Sequence, residues 1–238
     1  MRLSRQMNQQ NLDGKPIFKN WLIPTLLALS GLFFMTHASH AQTQPSGCGS
    51  LENGYGPLDY RTEPKRLQLV ESAHFTSNVE NLIKGNSGAL GKELDYTLRA
   101  IPNHHRALVS VMNFGEKTRS PKPYGLSYDI ECYFERALRF RPDDNTARML
   151  YATFLVRNNR SAEATGQLET ATAQAGDNAF THYNIGRIYF DMKNHERALT
   201  QAHKAYALGF GLPILRDQLI AKGAWKDPQV QPSEASNH

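Results

Sequence analysis

The sequence predicts an all-α fold of stacked helical hairpins, and two observations carry that prediction. The chain matches itself at a shift of 34 residues: Ala137, Ala171 and Ala205 fall in one column, Ala164 and Ala198 in a second, Ala152 and Gly186 in a third. The residues that recur are small, and one is a glycine inside the amphipathic stretch HYNIGRIYFDMKNHERAL, His182 to Leu199. Glycine within a helix costs about 1 kcal/mol relative to alanine. The penalty is explained if two helices cross there so closely that only a hydrogen or a methyl fits. Self-similarity at such a period marks helix–turn–helix units that bury a continuous core by stacking on their neighbours.

Residues 1–41 read as an export leader. Arg2, Arg5, Lys15 and Lys19 precede an apolar run from Trp21 to Met35, and small residues follow. A comfortable membrane span needs about 20 apolar residues, so this run is short, and Pro24 and Gly31 weaken it further. Ser39 and Ala41 stand where a cleavage site before Gln42 requires small side chains. A signal peptide is the expectation, with an uncleaved anchor as the alternative. The location implied is periplasmic or secreted, with membrane contact only through an uncleaved leader. Removing residues 1–41 leaves 23 basic against 21 acidic residues. That near-balance gives no electrostatic footprint for nucleic acid.

Residues 42–92 are expected to form an irregular extension, because CGSLENGYGPLDYRTEP is rich in Gly, Pro and turn formers and has no sustained period. A short helix is expected near SNVENLIKG, where Ser77 and Glu80 make a capping-box pattern. Cys48 and Cys132 are the only cysteines. In an oxidising compartment they would join if they meet in space; otherwise Cys132 is a small apolar residue on a helix. No CxxC pair supports a zinc or redox motif.

The repeats follow in residues 93–212. KELDYTLRAIP reads as the closing helix of one unit. A helix from Pro102, in PNHHRALVSVMNF, and another in CYFERALRFRPDD are separated by the loop GEKTRSPKPYGLSYD; together they complete a degenerate segment 93–142. Units 145–178 and 179–212 hold the register strictly, with Phe134, Leu168 and Ala202 aligned and Leu155 above Tyr189. HYNIGRIYFDMKNHERALTQAHKAYAL, with Gly186, Tyr189, Ala198 and Ala205 at motif positions, resembles the tetratricopeptide repeat family; the unit from Asn145 matches less fully. The resemblance implies a helical-hairpin superhelix of about three units.

An array of this kind needs a cap. Pro213 and ILRDQLIAK, with Leu215 and Leu219 on one face, supply a capping helix over 213–226. Residues 227–238 read as a disordered tail.

No catalytic signature stands, and neither a cofactor nor a metal site is expected. GNSGALGK, residues 85–92, resembles a phosphate-binding loop but has Asn86 and Glu93 at two required positions. HERAL, residues 195–199, lacks the second histidine of a zinc helix. His104 and His105 diverge by about 100° on a helix and serve a surface or helix-start role. The resemblance implies instead a concave groove lined by the first helix of each unit. By register, that face carries Met149, Thr153, Val156 and Arg157, then Tyr183, Asn184, Arg187 and Asp191. Asn184 would bond an extended peptide backbone, and the arginines would attract a carboxylate. A carboxylate clamp is not reproduced, because Phe180 stands where that pattern has lysine. The function these features imply is a non-enzymatic protein- or peptide-binding adaptor or assembly factor of the bacterial cell envelope. The alternative is a small-ligand or metal-binding protein, or a hydrolase, with its site between residues 48–75 and the repeats, drawing on Tyr55, Asp59, Tyr60 and His74.

Overall fold

Ten α-helices and no strand occur among the described residues, 47–228 of a computed structural model. They all lie within the second of the two units into which the chain divides, Thr43–His238. The expected leader, residues 1–41, and most of the expected tail lie outside the described residues. In chain order the helices are α1 (Pro64–His74), α2 (Ser77–Glu80), α3 (Leu90–Ala100), α4 (His105–Thr118), α5 (Ile130–Phe140), α6 (Asn145–Arg157), α7 (Ser161–Ala175), α8 (Ala179–Asp191), α9 (His195–Ala207) and α10 (Ile214–Ala221). Among the described residues no helix is long and apolar enough to cross a membrane.

The regular repeats are the hairpins α6–α7 and α8–α9. Their first helices begin at equivalent caps, where the carboxylate of Asp144 accepts from the Ala147 N–H at 3.0 Å and Asn178 accepts from the Thr181 N–H at 2.9 Å. Each cap satisfies a donor that the first turn leaves orphaned. The repeating alanines 137, 152, 164, 171, 198 and 205 are all 0% exposed. Gly186 is buried beside them. A Cβ built there would lie 2.8 Å from Leu215 Cδ2 and 3.3 Å from the Ala198 carbonyl oxygen. The glycine therefore lets α8 lie against α9 and the capping helix α10 together, while α10 turns Leu215 and Leu219 into the core at 0% exposure.

The amino-terminal part is more ordered than its composition implied. α1 is a helix of 11 residues within the stretch read as irregular. It buries only Leu67 and Val70, which pack with Leu58, Ala100 and Ile101, so its apolar period is too sparse to see. Pro64 at its first turn was the available signal. The capping box at Ser77 does not form: the Glu80 N–H donates to the Thr76 carbonyl at 2.9 Å, and Thr76 is the cap residue. α4 starts at His105 instead of Pro102, because His104 is its cap and accepts the Ala107 N–H on Nδ1 at 3.2 Å.

Two devices tie the degenerate segment together. Asp95 on α3 accepts from the Ser127 N–H at 3.0 Å, the Ser127 hydroxyl at 2.9 Å and the Tyr133 hydroxyl at 2.5 Å, which pins the inserted loop between α4 and α5. Cys48 and Cys132 are joined in a disulfide across 84 residues, with Cα atoms 5.1 Å apart. The same face of α5 carries Arg136, which donates to the carbonyls of Cys48 at 3.0 Å and Ser50 at 2.5 Å, and Arg139, which donates to that of Gly49 at 2.5 Å. Gly49 lies at φ +69°, and a Cβ there would press on the Tyr128 ring, so this tight strap admits only glycine. Beyond the strap, the Leu58 N–H donates to the Ala100 carbonyl at 2.9 Å, carrying the chain from α5 onto α3.

Candidate functional site

α6 and α8 lie side by side, and between them runs a groove of about 310 Å³ lined by Thr146, Met149, Leu150, Thr153, Phe180, Asn184, Arg187, Ile188 and Asp191. Helical spacing produces this set: positions three and four apart share a face. Five residues expected to face a groove are here: Met149, Thr153, Asn184, Arg187 and Asp191. Phe180, 55% exposed at the start of α8, gives the groove an apolar end. The Asn184 amide donates to the Phe180 carbonyl at 2.8 Å. Among the described residues, Arg187 and Asp191 have no hydrogen-bond or ion-pair partner.

The other three expected residues lie elsewhere. Tyr183 is 3% exposed and stacks on Phe210 with ring centroids 4.2 Å apart, because one step along α8 from Asn184 turns its side chain toward the α9–α10 connection. Val156 is half-buried against the core. Arg157 is engaged by α4, pairing with Glu116 at 3.0 Å and donating to Asn113 Oδ1 at 3.1 Å. Its role is to tie the degenerate segment to the first regular unit. The groove residues missed in sequence, Thr146, Leu150, Phe180 and Ile188, are apolar or neutral; their spacing of three or four from Met149, Thr153 and Asn184 was the signal that would have found them.

A second, larger concavity of about 790 Å³ opens where the inserted loop parts α4 from α5, lined among others by Glu116, Arg119, Glu131, Cys132, Glu135 and Arg160. Glu131 is spoken for by Arg160 at 2.6 Å and the Tyr151 hydroxyl at 2.6 Å. Burial would raise its carboxyl, but these two partners hold it below the ordinary value.

The histidines near the amino-terminal segment are each spent on a separate carboxylate. His74 Nδ1 meets Glu93 at 2.7 Å, and His104 Nε2 donates to Glu71 at 3.0 Å. Since Nδ1 of His104 accepts the cap bond, its proton resides on Nε2. Asp59 is bound by Arg61, Arg141 and Asn103, and Asn103 reaches Asp144 as well, each contact at 2.8–3.0 Å. Burial alone would raise the Asp59 carboxyl; Arg61 and Asn103 overcome it and hold the group well below the carboxylate range. The phosphate-loop likeness has a physical explanation. The Ser87 and Gly88 N–H groups donate to Glu93 Oε1 at 2.7 and 3.1 Å, so the loop cradles the chain's own carboxylate. Among the described residues no group of three His, Cys, Asp or Glu could hold a metal ion.

Hairpins in strict register, tiny residues at the crossings, side-chain caps one repeat apart and a terminal capping helix define a repeat scaffold of the tetratricopeptide type. Residues 129–205 match the family described as Anaphase-promoting complex, cyclosome, subunit 3, a family of tetratricopeptide-type repeats. This part of the chain, α5 to α9, is of that repeat type. No curated protein matches the chain. Repeats of this type generally mediate protein–protein interaction, and all-helical scaffolds of this kind are typically non-catalytic.

Proposed function

We propose that the chain is a non-enzymatic adaptor that docks an extended segment of a partner protein in the α6–α8 groove, and that it does so as an exported protein of the bacterial cell envelope. One observation carries the reading: a groove with an exposed aromatic end also holds a cation and an anion, Arg187 and Asp191, that nothing in the described chain neutralises. Charges left unpaired on a rigid surface are available to a partner without first breaking an internal contact. A peptide laid along the groove would place an apolar side chain on Phe180 and a carboxylate at Arg187. The basic leader followed by a short apolar run supports the exported location.

The test is site-specific photocrosslinking of the full chain in cells, with the probe at Thr146 in the groove and, as control, at Ala173 on the exposed side of α7. A discrete protein adduct at Thr146 that Arg187→Ala abolishes supports the reading. Equal labelling at both positions, or no adduct at Thr146 together with stoichiometric metal binding by the purified chain, overturns it.

A further inference from the structure

The two sulfurs of the disulfide stand in unlike surroundings. Cys132 is half-buried, lines the 790 Å³ cleft and sits in the first turn of α5, at the end of the helix dipole that favours a thiolate. Cys48 is 4% exposed and buried against α5. One turn along that helix, Glu135 brings Oε2 to 3.1 Å from Cys48 Sγ. A disulfide sulfur has no proton to donate, so in the oxidised protein this is a bare approach of oxygen to sulfur; once Cys48 is a thiol it becomes an S–H to carboxylate hydrogen bond. Glu135 therefore interacts better with the reduced state than with the oxidised one, and a contact that differs between two states shifts their equilibrium. Burial first, and the carboxylate of Glu131 second, raise the Glu135 carboxyl above its ordinary value.

We propose that Cys48–Cys132 is a thiol–disulfide exchange site opening on the α4–α5 cleft, with Cys132 the sulfur attacked, Glu135 the proton donor to Cys48, and a dithiol the co-substrate. The thiolate of the dithiol enters the cleft, whose rim carries Arg119, and attacks Cys132 Sγ. The S–S bond breaks, its electron pair passes to Cys48 Sγ, and Glu135 protonates that sulfur, leaving a carboxylate that accepts the new S–H. The second thiolate of the dithiol then attacks its partner sulfur in the mixed disulfide. Cys132 leaves as a thiolate stabilised by the α5 amino terminus, and the dithiol departs as a cyclic disulfide. Two electrons pass from the dithiol to the protein. The amino-terminal strap is thereby converted from a covalent tether to one held by Arg136 and Arg139.

The experiment uses the full oxidised chain under native conditions. Reduction by dithiothreitol is followed by alkylation and mass, for the unaltered protein and for Glu135→Gln, which keeps shape but has no proton to give. The proposal expects reduction without denaturant, slowed about a hundredfold in the variant as for loss of a general acid. In a second measurement, brief exposure of the unaltered protein to reduced glutathione and acid quenching should place the trapped mixed disulfide on Cys132. A bond reducible only in denaturant, an equal rate in Glu135→Gln, or glutathione found on Cys48 would each overturn it.

Discussion

Arg136 donates to the carbonyl oxygen of Cys48 at 3.0 Å, one turn of α5 from the Cys132 that holds the same residue through sulfur. Arg136 is 1% exposed and has the Tyr128 ring 4.9 Å from its guanidinium carbon. Burial pushes its pKa below the usual guanidinium value. No carboxylate neutralises it among the described residues; carbonyls and an aromatic face do the work instead. Two bonds of different chemistry thus converge on one residue of the strap.

Arg136→Met keeps the apolar stem and leaves the carbonyls of Cys48 and Ser50 without this donor, at an expected cost of about 1–3 kcal/mol. Replacing both cysteines by serine should cost about 2–5 kcal/mol, because the closed loop is long. Urea denaturation of each variant measures both. Unchanged stability in Arg136→Met would mean that the strap does not depend on the guanidinium.

Gly186→Leu and Ala198→Leu should each destabilise by about 1–3 kcal/mol, since both overpack a crossing in which no atom has room to retreat. Leu215, which a Cβ at 186 would meet, is itself fully buried. Matching denaturation curves with those of the unaltered protein would remove the close crossing from the account of the repeats.

His104 makes stability fall on mild acidification. Burial first, and Arg106 second, push its pKa down to about 3. The unfolded chain binds that proton near pH 6.5, so between these values the unfolded state holds more protons and stability declines as pH falls. From pH 6.5 to 5 the loss is about 2 kcal/mol for this one group. The depressed carboxyls of Asp144 and Glu93 act lower: their stabilisation is present above the unfolded carboxylate value and is lost only as pH drops through the folded ones. His104→Asn retains a good cap. Its melting temperature should vary much less between pH 7 and 5, and an undiminished slope would assign the effect to other groups.

Arg187→Ala should leave stability within about 0.5 kcal/mol, because the side chain is exposed and has no partner in the described chain. Arg157→Ala, which breaks an exposed pair with Glu116, should cost no more than about 1 kcal/mol. Thermal melts of the two variants test the pair. A large loss at Arg187 would place it in a structural network and remove it from the groove chemistry.

Much of the regular scaffold was readable from spacing. The small residues at 137, 152, 164, 171, 186, 198 and 205 repeat because every unit makes the same crossing, and a crossing that recurs leaves a period in the chain. Five groove residues followed from the same register. Tyr183 and Arg157 did not, since which way a side chain at the edge of a helix face turns depends on what neighbours it: Phe210 drew one inward and Glu116 engaged the other.

Local rhythm along the chain dictated the hairpins, their order and the closeness of their packing, because each of those depends on residues within one repeat length. Contact between distant segments alone decided the joining of Cys48 to Cys132, the burial of Arg136 over the strap, the helix at Pro64 and the cleft beside Glu135. These pair residues far apart in sequence, or rest on one or two buried side chains, and such contacts leave no period to read.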